Sequence, residues 1–299
     1  MLMNIGFIGL GIMGRPMALN LLKAGYPVWV HARRPAMMDP LIDAGATACN
    51  SSSEVAAQAD IIFICVSDTH DVEQVIQGDN GVLNAVRKDS VVVDMSTISP
   101  SATRALASEL SKHNIHMLDA PVSGGEQGAI EGTLSIMVGG DKQIFDRVLP
   151  LFQAMGKNIV HIGDNGAGQV AKACNQVLIG QTIAAIGEAY LLASASGVDP
   201  VKVRQALLGG FASSRALESH GQRMLERNFK PGFKARLHQK DMRIAMEAAH
   251  ELGIALPGAA MVAHYLNAVV GHGKGENDSI SILELQEQLS GITVSKDSQ

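Results

Sequence analysis

The chain has 299 residues, 46% hydrophobic but only 4% aromatic, with a net charge of −5. That length suits about two domains, and an aliphatic core of this kind favours helices and parallel sheet over an aromatic-rich β-barrel. The absence of a long basic run argues against nucleic acid as a partner, and an odd set of cysteines (Cys49, Cys65 and Cys174) without a C-x-x-C pair argues against a disulfide framework. A reduced, cytoplasmic setting is expected.

In chain order, the opening segment "MLMNIGFIGLGIMG" has no basic flank before its apolar run, and glycines break that run, so no signal peptide is expected. Short apolar or β-branched runs predict strands at Ile5–Ile8, Val28–Val30, Ile61–Val66, Val91–Asp94, His116–Leu118, Leu134–Val138 and Ile159–His161. Helical stretches lie between most of them. Pro35 suits a first helical turn and Gly45 a stop. Ser51 to Glu54 matches a capping box, and Ser99-Pro100 an N-cap followed by Pro. Such alternation predicts a parallel sheet with helices on both faces.

From about residue 163 only helical patterns follow. One long helix is predicted to end near Gly197. After it come Pro200–Leu208, Arg215–Arg227, Lys234–Leu252, Pro257–Val270 and Ile280–Leu289. The apolar segment Val177 to Ala195 carries Gln181, Thr182 and Glu188, so it reads as a buried helix rather than a membrane span. The tail "SKDSQ" is expected to fray.

Chemistry is concentrated in four places. Gly9-x-Gly11-x-x-Gly14 follows a predicted strand and opens an amphipathic helix, the context of a dinucleotide fingerprint. The three glycines would supply a tight turn, close approach to a pyrophosphate, and helix–strand packing. Leu10, Ile12 and Met13 complete the cradle, whose alternative is a glycine-rich turn without a ligand. At the end of the second strand, where an acid would favour NAD, the chain has His31 and Ala32 followed by Arg33 and Arg34. Two guanidiniums suit a 2′-phosphate, so NADPH is expected, with NAD as the alternative cofactor and a solvated basic turn as the bland reading.

The third place is "DAPVSGGEQGAIEGTLSIMVGG", Asp119 to Gly140. It is too rich in glycine for an ordinary strand or helix. Ser123 offers a hydroxyl and Gly124 and Gly125 bare amides, which together suit a carboxylate; a flexible turn is the alternative. Fourth, Lys172, Asn175 and Gln176 share a face of the long helix at i, i+3 and i+4. Small neighbours (Ala171, Ala173 and Cys174) invite burial of Lys172, which would lower its pKa from about 10.4 and let it exchange a proton. A surface lysine is the competing view. By spacing alone Lys240 is an exposed helix charge. The histidines form no metal-ligand pattern, and no metal is expected. The expected fold is α/β: a Rossmann-type doubly wound domain over 1–163, a connecting helix over 164–196, and an all-α substrate and oligomerisation domain over 197–299.

Taken together, "GFIGLGIMGRPMALNLLKAG", "DAPVSGGEQGAIEGTLSIMVGG", "GAGQVAKACNQ", "GGFASSRALESHGQRML" and "NFKPGFKARLHQKD" resemble, in order and over nearly the whole chain, the signatures of the β-hydroxyacid dehydrogenases. That resemblance implies that Lys172 is the acid/base, that Ser123, Gly124 and Gly125 bind substrate with Lys172, Asn175 and Gln176, and that Asn175 aligns it. It places Ser96 and Lys240 near the nicotinamide, reversing the spacing-based view of Lys240. It implies reduction of a small carboxylate-bearing semialdehyde, tartronate semialdehyde, to D-glycerate, by a homo-oligomer (dimer or tetramer). A 3-hydroxyisobutyrate-type or other semialdehyde activity is the nearest alternative, and a non-catalytic NADPH-binding regulator the alternative from another class.

Overall fold

A computed structural model describes residues 3–294; the tail expected to fray lies outside the described residues. The described chain forms two compact units that meet in sequence between Lys172 and Ala173.

The first unit is built on nine strands: β1 Ile5–Ile8, β2 Val28–His31, β3 Thr47–Ala48, β4 Ile61–Ile64, β5 Val91–Asp94, β6 His116–Asp119, β7 Val122–Ser123, β8 Leu134–Gly140 and β9 Gly156–Gly163. Its helices are α1 Gly14–Lys23, α2 Asp39–Asp43, α3 Ser52–Gln58, α4 Thr69–Gln77, α5 Pro100–Lys112, α6 Gly125–Glu131 and α7 Lys142–Met155. The sheet order is β3-β2-β1-β4-β5-β6-β8-β7, with β9 beside β8. The strands are almost wholly apolar because both sheet faces are covered. Ile5, Phe7, Ile61, Phe63, Val91 and Val93 face one layer with Met17, Leu21, Val148 and Phe152. Their alternates Ile8, Ile62, Ile64 and Val92 face a second layer with Val55, Val72, Leu106 and Leu110. The sheet order reverses at β1, whose neighbours are β2 and β4, so a crevice for ligands is expected beyond the ends of β1 and β4.

The parallel-sheet expectation holds for most of the sheet and is corrected at one edge, around β8. Strands β3 through β6 pair in parallel, but β8 runs antiparallel to β6 and to β7. Between β6 and β8 the chain offers only β7 and the seven-residue α6. A seven-residue helix rises about 10 Å, too little to carry the chain back for a parallel partner. The glycine-rich stretch carries β7, α6 and β8 in succession, with a bend at Gly124 between β7 and α6.

The second unit consists of helices. It takes most of α8 (Ala167–Ala195) and contains α9 Pro200–Leu208, α10 Arg215–Leu225, α11 Ala235–Glu251, α12 Pro257–Gly271 and α13 Ile282–Ser290. Local chemistry sets their ends. Gly166, at φ +89°, keeps α8 from starting earlier, and Arg227, at φ +56°, lies past the end of α10. Asp199 caps α9 through the Val201 amide. By length and composition α8 could cross a bilayer, yet Ile183, Ala184, Ile186, Tyr190 and Leu191 are buried in the core of this unit.

Candidate active site

The cofactor cradle follows from three glycines with three different constraints. Gly9 follows β1 at φ +93°, and a Cβ there would lie 2.2 Å from the Cys65 carbonyl oxygen. At Gly14 a Cβ would lie 1.9 Å from the Gly9 carbonyl oxygen, whereas at Gly11 it would meet nothing within 4 Å. Two glycines thus let β1, β4 and α1 close up, and the third keeps an approach open. No side chain caps the start of α1; the Arg15 and Met17 amides donate to the Gly11 and Met13 carbonyls and Pro16 has no N–H, which leaves the glycine turn before the helix and its positive dipole end for an anion. A dinucleotide pyrophosphate fits such a cradle. Leu10 contributes backbone only, since its side chain is 2% exposed in the core, while Ile12 is half exposed. At the end of β2, Arg33 and Arg34 are both exposed, and Arg33 pairs with Asp71 of α4 at 3.1 Å.

Ser96 follows β5 and is buried. Its Oγ accepts the Val66 amide at 2.9 Å, and its own amide donates to Asp94 Oδ1 at 2.9 Å, tying together the ends of β4 and β5.

Beyond β6 the chain brings Lys172 to the Ser-Gly-Gly segment. Lys172 is only 7% exposed, and its Nζ donates to the Val122 carbonyl at 2.8 Å, one residue from Ser123. Ser123 is half-buried, and Gly124 and Gly125 are exposed at φ +133° and +64°. These left-handed values hold both amides in a turn that a side chain would strain. The start of α8 is itself pinned. The buried Asp119 carboxylate accepts the Gly166 amide at 2.7 Å and the Gln169 amide at 2.9 Å. Burial pushes the Asp119 carboxyl above its ordinary value, while these backbone hydrogen bonds pull it down.

In the second unit a line of polar groups runs from Asn175 to Lys240. The Asn175 amide donates to Gln176 Oε1 at 2.8 Å, Gln176 Nε2 donates to Asp241 Oδ2 at 2.6 Å, and Lys240 Nζ pairs with Asp241 Oδ1 at 3.0 Å. Gln176 and Asp241 are both 3% exposed. Both ends of the Gln176 amide are thus engaged by protein, a support for Asn175. Among the described residues no group of three His, Cys, Asp or Glu side chains is placed to hold a metal.

Residues 4–163 match the family described as the NAD binding domain of 6-phosphogluconate dehydrogenase. Residues 166–286 match the one described as NAD-binding of NADP-dependent 3-hydroxyisobutyrate dehydrogenase. The chain is 48% identical over 288 residues to the 2-hydroxy-3-oxopropionate reductase of Escherichia coli (strain K12), covering 96% of this chain and 98% of that one. The chain belongs to the β-hydroxyacid dehydrogenase family.

Other members extend the likeness. The 2-(hydroxymethyl)glutarate dehydrogenase of Eubacterium barkeri is 38% identical over 293 residues, 98% of this chain and 97% of that one. The solved structure of Mycobacterium tuberculosis 3-hydroxyisobutyrate dehydrogenase with L-serine superposes with a TM-score of 0.87 at 30% identity, covering 96% of this chain and 99% of that one. This β-hydroxyacid dehydrogenase is thus an NAD(P)-dependent oxidoreductase.

Sequence reasoning missed four carboxylates and amides that hold the candidate site residues: Asp71 on Arg33, Asp119 and Gln169 at the start of α8, and Asp241 on Lys240 and Gln176. Asp119 and Asp241 each stood inside a quoted motif, Asp241 next to Lys240. The available signal was an acid in an otherwise apolar or basic stretch.

Proposed function

We propose that this enzyme reduces tartronate semialdehyde (2-hydroxy-3-oxopropionate) to D-glycerate, with NADPH preferred over NADH. The observation that carries the chemistry is the buried Lys172 ammonium 2.8 Å from the Val122 carbonyl, beside Ser123. The identity to a named 2-hydroxy-3-oxopropionate reductase supports the substrate, and Arg33 and Arg34 at the end of β2 support the 2′-phosphate.

Bound NADPH supplies the hydride that reduces the aldehyde carbon. The Gly9–Gly14 cradle and the start of α1 would hold its pyrophosphate, and the family resemblance assigns Ser96 and Lys240 to its nicotinamide side. The Ser123 hydroxyl and the Gly124 and Gly125 amides take the substrate carboxylate. Lys172 donates a proton to the carbonyl oxygen as negative charge grows there, giving the alcohol. Val122 engages one of its three donors and so fixes where the ammonium stands. Asn175, one helical turn further along α8, sets the substrate angle. Exposed Leu178 and Leu192 on α8 support a homo-oligomer, which light scattering would check.

The test is turnover by Lys172→Ala with NADPH and a panel of small semialdehydes, including those of 3-hydroxyisobutyrate and succinate. A positioned proton donor contributes roughly 10²–10⁴-fold. The variant should lose that much while still binding NADPH. Retained turnover removes Lys172 from its role, and a better panel member than tartronate semialdehyde reassigns the substrate.

A further inference from the structure

The first turn of α8 is tied to the rest of the first unit by a residue outside the proposed chemistry. Gln169 is 1% exposed. Its backbone amide donates to Asp119 Oδ2 at 2.9 Å. Its side-chain Nε2 donates to the Ser96 carbonyl at 2.9 Å, and its Oε1 accepts the Ile98 amide at 3.1 Å. Both the nitrogen and the oxygen of the side-chain amide are thus engaged in a buried place. An apolar side chain here would leave the Ser96 carbonyl and the Ile98 amide without these partners.

The fit around this turn leaves no slack. A Cβ on Gly168 would lie 2.4 Å from the Met137 carbonyl oxygen and 2.7 Å from that of Asp119, and a Cβ on Gly139 would lie 2.6 Å from Asp119 Oδ1. Helix α8 is thus seated directly on the ends of β6 and β8. Lys172 stands three residues beyond Gln169, on the same helical face. Ser96, at the other end of the Gln169 side chain, is held in turn by Asp94 and by the Val66 amide after β4.

We propose that Gln169 is a positioning residue, one that fixes Lys172 relative to the Ser96–Ile98 turn and so keeps proton donor and cofactor side in register. The proposal rests on the reading of Lys172 as proton donor. Gln169 itself touches no reacting atom. It acts through the seating of the first turn of α8.

The experiment uses the full chain with Gln169→Leu, the isosteric Gln169→Glu, and Lys172→Ala, assayed by NADPH oxidation with tartronate semialdehyde across pH. Gln169→Glu keeps the volume and the acceptor for Ile98; ionised, it sets a negatively charged oxygen against the Ser96 carbonyl, and protonated it restores a donor there, so if Gln169→Leu does not fold it carries the test through kcat regained toward acid pH. Misplacement by about 1 Å costs on the order of 100-fold. Both Gln169 variants should lower kcat by roughly 10–100-fold, leave NADPH affinity unchanged, and displace the midpoint of the kcat–pH profile, which a loss of folded protein would not move. An unmoved midpoint with kcat reduced only in proportion to folded protein, or an unchanged kcat, overturns the proposal. If Lys172→Ala is inactive and the Gln169 variants behave as wild type, this inference alone fails. If Lys172→Ala keeps its turnover, the reading of Lys172 fails with it.

Discussion

Gly14→Ala and Gly11→Ala separate the two duties of the glycine cradle. The added methyl at position 14 would start 1.9 Å from the Gly9 carbonyl oxygen, against 3.4 Å or more for ordinary van der Waals contact. The start of α1 must then retreat by about 1.5 Å, the difference between these two distances, because Gly9 is itself pressed against Cys65. Overpacking of this kind costs roughly 1–3 kcal/mol, which for a unit of this size lowers Tm by about 2–12 °C. The same retreat moves the amides that face the phosphates, and a 1 Å error costs on the order of 100-fold. At Gly11 the methyl meets no protein atom within 4 Å, so Tm should hold while NADPH binding falls. Thermal melts and fluorescence titration with NADPH on both variants give the four numbers needed. If Gly14→Ala keeps both its Tm and its NADPH affinity, the steric reasoning is wrong. If Gly11→Ala binds NADPH as wild type does, the open approach at that position is not where the phosphates sit.

Arg33→Ala should weaken NADPH binding by about 10–100-fold, the worth of charge-assisted hydrogen bonds to a phosphate, and leave NADH binding unchanged. Its exposed pair with Asp71 contributes little stability, so Tm should not move, and equal losses for both cofactors would discard the 2′-phosphate assignment. Asp241→Asn offers one acceptor where the carboxylate serves both Gln176 and Lys240, and it should cost about 1–3 kcal/mol in urea melts; an unaltered midpoint would mean the two contacts are dispensable. Tyr190 is fully buried, its hydroxyl has no partner among the described residues, and burial pushes its pKa from 10.0 up to about 12. Its proton is held more tightly in the folded chain, so the stabilisation is complete below pH 10 and is lost as pH rises through about 12. Two pH units correspond to roughly 3 kcal/mol. Tyr190→Phe should remove that alkaline loss; an identical pH dependence of urea stability in the two proteins would refute the assignment.

Features that depend on neighbours one to four residues away were legible in the sequence. Ser51 caps α3 through the Glu54 amide, Ser99 caps α5 and Asp199 caps α9, as their spacing implies. The glycine fingerprint and the apolar runs of strands β1, β4 and β5 were equally plain, since a buried parallel strand writes its environment into nearly every residue. The small neighbours of Lys172 left burial and a surface position both open, and the structure decides for burial. Strands β3 and β7, two residues each, carry no period and went unseen.

Tertiary structure alone decided which groups meet. Lys172 finds its acceptor 50 residues away at Val122, Asp119 caps a helix 47 residues downstream at Gly166, and Asp241 engages Gln176 across 65 residues. The antiparallel turn of β8 is of the same kind. Helix and strand signals come from short-range sterics and burial, which each segment carries within itself. A hydrogen bond between distant residues depends on how the chain returns, and no local pattern of side chains encodes that path.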